Sequence, residues 1–168
     1  MRENPMVDAN RSSGWRARRV AILGASGLTG SGLAHNLAQN DAVDEVILFD
    51  LKENVLQAHI VDMKEAQIVT GRTATRLVRG SLDRVHECGE VDLVVVAASL
   101  PETPDGDRGA FLDGNLGVLR SLTPAIESLA GQGGLVMLLT NPADLLATAM
   151  SRMSAIDPGR IFGYCLND

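Results

Sequence analysis

The sequence predicts an α/β fold, a doubly wound parallel sheet of about six strands with helices on both faces. Three observations carry this. Short continuous apolar runs recur along the chain, as expected of strands buried on both faces. Between most of them lie longer segments with apolar residues every three or four positions, the pattern of amphipathic helices. The 168 residues suit one compact domain, with no internal linker, repeat or low-complexity tract.

The regular pattern begins at Arg19. Val20-Ala21-Ile22-Leu23 is the first strand and runs into a glycine-rich turn. The helix that follows carries Leu33, Ala34, Leu37 and Ala38 on one face. Val46-Ile47-Leu48-Phe49 is the second strand and ends in Asp50. Leu56, Ile60 and Met63 mark a second helix that stops before Gly71. Thr75–Val78 is a more polar third strand, expected near a sheet edge. Val91–Ala97 is a strong fourth strand, followed by a loop from Ser99 to Asp107 with two prolines, a glycine and three acids. A long helix then places Leu112, Leu116, Leu119, Leu122, Ile126 and Leu129 on one side. Leu135–Leu139 is a fifth strand, Asn141-Pro142 opens another helix through Leu146, Ala149, Met150 and Met153, and Ile161-Phe162 begins a sixth strand.

Composition narrows the function classes. A net charge of −6 and a pI near 5.0 argue against nucleic acid or an anionic membrane as partner. No apolar run approaches the ~20 residues that span a bilayer. The preponderance of Arg over Lys reflects genome composition. Cys88 and Cys165 make neither a disulfide framework nor a metal site and are expected as reduced thiols in the cytoplasm. Residues 1–18 are polar, lack the apolar core of a signal peptide, and are expected to form a flexible lead-in to a domain over 19–168.

The chemistry starts at Gly24-Ala25-Ser26-Gly27-Leu28-Thr29-Gly30, a G-x-x-G-x-x-G turn between a buried strand and a helix. Glycines permit the tight bend and let backbone approach a pyrophosphate, and the helix N-terminus presents N–H groups and partial positive charge to that anion. Asp50 falls twenty residues past Gly30 at the end of the second strand. An acid there accepts hydrogen bonds from ribose hydroxyls and repels an extra phosphate, so NAD is expected rather than NADP. The 99–107 loop, beyond a strand's carboxyl end, is long enough to act as a lid. Arg108, its cation, suits either polarising a carbonyl or offsetting the neighbouring acids. Asn141 suits either a substrate or nicotinamide amide contact or a helix cap with Pro142 as first helical residue.

Together these segments resemble the cofactor-binding half of the lactate/malate dehydrogenase family. The resemblance rests on the glycine turn, Asp50, Ala58-x-x-x-Asp62-Met63-x-x-Ala66, the loop Leu100-Pro101-Glu102-x-Pro104-x-Gly106-x-Arg108 with Asn115 beyond it, and Asn141-Pro142-Ala143-Asp144. It spans residues 19 to about 164, in order. It implies a Rossmann domain that binds NAD for hydride transfer to and from a 2-hydroxy or 2-oxo acid. Gly24, Gly27, Leu28, Gly30 and Asp50 would hold the dinucleotide, with Asn115 near the same site. Arg108 would polarise the substrate carbonyl, and Asn141 would orient both substrate and nicotinamide. The resemblance also implies dimers or tetramers of the complete enzyme, partly through the second helix.

The sequence departs from the family in three places. Glu102 stands at the substrate-selecting position, where the family carries Arg for malate or Gln for lactate, so the substrate is expected to differ. The family's glycine after the fourth strand is replaced within Ala97-Ala98-Ser99. The family's general acid/base is a His paired with an Asp, whereas His35, His59 and His86 all fall in or beside helices. Asp168 lies near the place of that Asp. The chain is therefore read as a cofactor half whose catalytic domain is missing, able to bind but not to turn over. The alternatives are a non-catalytic NAD(H)-sensing domain and a relative of NAD-dependent glycosidases, whose metal segment Gly163-Tyr164-Cys165 resembles except for Leu166.

Overall fold

A computed structural model of the protein describes residues 17–40, 43–101 and 108–164. The elements in chain order are β1 (Arg19–Leu23), α1 (Leu28–Asn40), β2 (Glu45–Phe49), α2 (Glu53–Thr70), β3 (Arg76–Arg79), a 3₁₀ segment (Leu82–Cys88), β4 (Leu93–Val96), α3 (Arg108–Ala130), β5 (Leu135–Leu138), α4 (Ala143–Met153), a 3₁₀ turn (Pro158–Arg160) and β6 (Ile161–Gly163).

All six strands are parallel, in the order β3-β2-β1-β4-β5-β6. The chain winds outward from β1 to β3, then crosses back to β4 beside β1. That reversal leaves a crevice beyond the carboxyl ends of β1 and β4, where ligands of open α/β sheets bind.

Side-chain alternation along the strands divides the core in two. Val20, Ile22, Val46 and Leu48 face α1 and α2, meeting Ala34, Ala38, Leu56, Ile60 and Met63. Ala21, Leu23, Ile47 and Phe49 face the other way, meeting Leu119, Ile126 and Leu129 of α3 and Leu146 and Met150 of α4. Each fully buried Leu or Ile contributes roughly 1.5–3 kcal/mol, so the two layers supply most of the drive to fold. Burial on both faces is why the strands read as unbroken apolar runs. Ala34 and Ala38, both fully buried, let α1 lie close against the sheet.

Several expected details are corrected. The third strand begins one residue late, because Thr75 is buried outside the ladder. Its hydroxyl donates to the Val43 carbonyl at 2.8 Å, and its carbonyl accepts from Gln67 Nε2 at 2.9 Å. The fourth strand is shorter than Val91–Ala97: Val91 N–H bonds to the Leu129 carbonyl of α3 instead. In α1, Leu33 and Leu37 are only half-buried beside the fully buried Ala34 and Ala38, and in α3 the same holds for Leu112, Leu116 and Leu122. Pro124 sits inside α3 on its exposed side, and a 3₁₀ segment that the apolar pattern does not mark lies between β3 and β4. The second helix ends as expected, with Gly71 in the left-handed conformation at φ 69°.

Among the described residues no helix is long and apolar enough to cross a membrane, and no group of three or more His, Cys, Asp or Glu is placed to hold a metal ion.

Candidate functional site

The glycine turn is tied to the neighbouring strand, since the N–H groups of Gly24 and Ala25 both donate to the Phe49 carbonyl, at 2.9 and 3.1 Å. Its three glycines do different work. Gly24 has φ 88°, and a Cβ there would lie 2.4 Å from the Ala98 nitrogen just past β4. A Cβ on Gly30 would lie 2.2 Å from the Gly24 carbonyl oxygen, so the helix can leave the turn only without one. A Cβ on Gly27 would meet nothing closer than that same oxygen at 3.4 Å, an ordinary contact. Gly24 and Gly30 are required by the fold. Gly27 is not, and it lines the cleft.

Asp50 follows β2 directly and half-buries its carboxylate against the turn. Oδ2 accepts the Ser26 N–H and Oδ1 accepts the Lys52 N–H, both at 2.9 Å. Burial pushes the Asp50 carboxyl up, but the Lys52 and Ser26 hydrogen bonds and the Lys52 charge together outweigh it. The group ends below the ordinary carboxylate range and stays an anion.

These groups edge a cleft of about 670 Å³ beyond the carboxyl ends of β1, β2 and β4. Leu23, Gly24, Ser26, Gly27, Leu28 and Thr29 form one side and Phe49–Lys52 another. The chain from Ala97 to Leu100 forms a third, with Val118, Ser121 and Leu122 of α3 above it. The lining is mixed, apolar at Leu23, Phe49 and Leu122 and charged at Asp50. Leu28, at the start of α1, is 94% exposed. A helix leaves its first N–H groups without intrahelical partners, so the start of α1 offers donors and positive potential to an anion in the cleft. A smaller hollow of about 320 Å³ lies elsewhere, beside the first residues of β1, β2 and β3.

The structure gathers Gly24, Gly27, Leu28 and Asp50 around one cleft, with Gly30 buried behind the turn. Arg108, Asn115 and Asn141 are not among the described residues that line it. Arg108 is the first residue of α3 and is exposed. Asn141 is exposed beyond β5, and its peptide bond to Pro142 is cis. The cap expectation is corrected: α4 begins at Ala143, Pro142 holds the cap position, and no side chain caps the helix. Asn115 is buried, and its amide bonds to the backbone of Leu100 and Asn141. Glu102, Cys165, Leu166 and Asp168 lie outside the described residues. His35, His59 and His86 lie on α1, α2 and the 3₁₀ segment, and none of them lines the cleft.

Sequence reasoning missed Val118, Ser121 and Leu122, whose spacing marks a helix face without saying that the face overlooks the cleft. It also missed Ser26 and Asp83. Ser26 lies within the glycine turn, but nothing in the sequence marks its N–H as the partner of Asp50, and Asp83 is brought to the cleft by the 3₁₀ segment.

The residues fit a dinucleotide. The cleft volume is that of a small-molecule site. Gly27 leaves open the space that a Cβ would fill, the helix end suits a pyrophosphate, and an acceptor-only carboxylate suits the donating hydroxyls of a ribose.

The comparisons agree. Over 147 residues the chain is 33% identical to malate dehydrogenase 2 of Rhodopseudomonas palustris, covering 88% of this chain and 44% of that protein. It is 29% identical over 148 residues to the L-lactate dehydrogenase of Bacillus caldotenax, covering 88% of this chain and 45% of that one. The malate dehydrogenase structure from Picrophilus torridus superposes with a TM-score of 0.78 at 25% identity, over 88% of this chain and 46% of that chain. The fold is shared with the lactate dehydrogenase of Cryptosporidium parvum, solved with lactic acid and nicotinamide adenine dinucleotide, at TM-score 0.76 and 23% identity over 89% of this chain and 45% of that one. The chain thus spans less than half the length of the relatives it matches. Residues 18–163 match the family model for the NAD-binding domain of lactate/malate dehydrogenases, and the chain belongs to that family.

Proposed function

We propose that the chain binds NAD(H) in the cleft between β1, β2 and β4 and serves as the cofactor half of a 2-hydroxy-acid dehydrogenase. The observation that carries this reading is the closure of the glycine turn on Asp50. One carboxylate organises the pyrophosphate-facing backbone while standing where the adenosine ribose would lie. When bound, NAD supplies a hydride acceptor at its nicotinamide ring, and NADH a hydride donor. The chain's own work is to bind and orient. Gly27 and the start of α1 would receive the pyrophosphate, Asp50 the ribose diol, and the Ala97–Leu100 backbone would wall the cleft. Arg108 is assigned to the substrate, binding its carboxylate or polarising its carbonyl, and Asn141 to holding the substrate or the carboxamide end.

No described histidine stands at the cleft, so the acid/base step is assigned outside the described residues. A net charge of −6 favours a small-molecule partner over nucleic acid, and we place the protein in the cytoplasm. The outer side of α2 exposes Val55, Val61, Ile68 and Val69, the last two at 72% and 86%. Apolar side chains exposed on the side of a helix away from the sheet suit a subunit interface, so α2 is assigned to a homo-oligomer contact.

The test is a fluorescence titration of the chain with NADH and NADPH beside Asp50→Ala. Micromolar NADH binding, with NADPH much weaker and the gap narrowed by the substitution, is the expected result. Absence of binding to either, or equal binding to both by the unaltered chain, overturns the reading.

A further inference from the structure

Asn115 sits at the end of the second turn of α3, 1% exposed. Its Oδ1 accepts the Leu100 N–H at 2.9 Å, and its Nδ2 donates to the Asn141 carbonyl at 3.0 Å. The two partners belong to different segments, the chain leaving β4 and the chain leaving β5. A second side chain ties the same two exits: the Thr140 hydroxyl, also buried, donates to the Ala98 carbonyl at 2.8 Å. The helix fits tightly here, since a Cβ on Gly114 would come within 2.7 Å of Leu100 Cδ1.

We infer that Asn115 is a positioning residue. It acts through the backbone of Leu100 and Asn141 and holds the two exits at a fixed separation, without itself touching the ligand. Ala98, Ser99 and Leu100 wall the cleft, and Asn141 is exposed at the other exit, so the amide holds the cleft wall at a fixed place relative to the segment that carries Asn141. Only Asn has the required chemistry at this size. Gln is longer, Leu offers neither partner, and Asp presents a second acceptor to a carbonyl that needs a donor. The consequence for ligand binding rests on the NAD(H) reading, whereas the tie itself does not.

The experiment uses the intact chain with Asn115→Asp, Asn115→Leu, Thr140→Val and the double variant Asn115→Asp/Thr140→Val. NADH affinity is measured from pH 5 to 9 and amide exchange at Leu100 without cofactor, with thermal unfolding as the check on folding. In Asn115→Asp the Leu100 N–H keeps its acceptor and should stay protected. The introduced carboxyl, its pKa raised by burial, can donate to Asn141 only when protonated. NADH affinity should therefore be near that of the unaltered chain at pH 5 and fall about tenfold at pH 8, the size of one lost hydrogen bond carried into binding. Asn115→Leu should expose the Leu100 amide to exchange. Because Thr140 holds the same exits, the losses in the double variant should not be additive. A pH-independent loss, additive effects or a Leu100 amide indifferent to Asn115→Leu overturns the inference. If the unaltered chain binds no NADH, the function reading fails, and the exchange measurement still decides whether Asn115 holds Leu100.

Discussion

Asp50 reaches back across the crevice to Ser26, its Oδ2 accepting the Ser26 N–H at 2.9 Å. The acid on the second strand is therefore a part of the glycine turn on the first as well as a group facing a ligand. Replacing it should weaken folding and cofactor choice together. Asp50→Ala removes the acceptor for both Ser26 and Lys52, and hydrogen bonds to a charged group contribute about 1.5–3 kcal/mol each. Both donors are near solvent and regain water, so a total loss of about 2 kcal/mol is expected in urea unfolding. Asp50→Asn, which keeps one acceptor oxygen, should lose about half of that. Equal stability of all three proteins would mean the carboxylate does not brace the turn.

The same carboxylate sets a pH dependence. Burial raises its pKa, and the N–H donors and the Lys52 charge lower it by more, so the folded value lies below the unfolded one. Its stabilising contribution is full above the ordinary carboxylate pKa of about 3.9 and is lost as pH falls through the lower, folded value. The unaltered protein and Asp50→Asn should give parallel stability curves above pH 5 and converge only below about pH 4. Convergence between pH 5 and 7 would place the Asp50 pKa above the ordinary range, opposite to the direction set by the Lys52 and Ser26 hydrogen bonds.

The three glycines of the turn separate folding from binding. Gly24→Ala combines a positive φ with a Cβ in the Ala98 backbone, and Gly30→Ala drives a Cβ into the Gly24 carbonyl. Each should cost at least 2–3 kcal/mol or prevent folding, as backbone strain and overpacking do. Gly27→Ala meets only an ordinary contact and should unfold within a few degrees of the unaltered chain. Its methyl group would occupy the space assigned to the pyrophosphate, so NADH affinity should fall by about tenfold or more, roughly 1.4 kcal/mol. The pair of readouts is informative. A Gly27→Ala chain that is stable and binds NADH unchanged would remove the pyrophosphate from this turn.

These glycines also show what sequence can carry. At Gly24 and Gly30 the backbone admits one residue type, so the turn is readable from spacing alone. Strand burial on both faces made the apolar runs equally readable. What sequence hid depends on partners far along the chain. Thr75 reads as strand yet bonds to Val43 and Gln67, and Val91 reads as strand yet bonds to Leu129. The 3₁₀ segment has Leu82, Val85 and Cys88 at intervals of three, a spacing that also suits an α-helix or a loop. Asn115 was legible as a residue near the site, but its role was not, because both its partners are main-chain groups of other loops. For Asn141 the helix-cap alternative falls away only because α4 starts two residues later.

At the opposite ends of the strands, stability should be separable from binding in the other direction. Arg19, Glu45 and Arg76 stand directly across from one another at the starts of β1, β2 and β3. The Glu45 carboxylate, 6% exposed, lies between the two guanidiniums: Arg19 Nη2 is 2.9 Å from its Oε1, and Arg76 Nη2 pairs with its Oε2. Arg19 also donates to the Cys88 carbonyl at 2.7 Å and to the Glu90 carbonyl, locking β1 to the far end of the 3₁₀ segment. Removing the buried member should therefore matter more than removing the outer arm. Glu45→Gln leaves two cations facing each other without their carboxylate. Because both reach solvent, the loss should be about 2 kcal/mol, below that of a fully buried pair. Arg76 is 72% exposed, and Arg76→Ala should change stability by only about 0.5 kcal/mol. Arg19→Ala should fall nearer to Glu45→Gln, having more bonds to lose. None of the three should alter NADH affinity more than about twofold, since sites this far apart act independently. Urea unfolding and the NADH titration, run on the same four proteins, decide it. An Arg76→Ala loss as large as that of Glu45→Gln would show the outer pair to be as strong as the inner one, and a shared loss of NADH affinity would show the two edges of the sheet to be coupled.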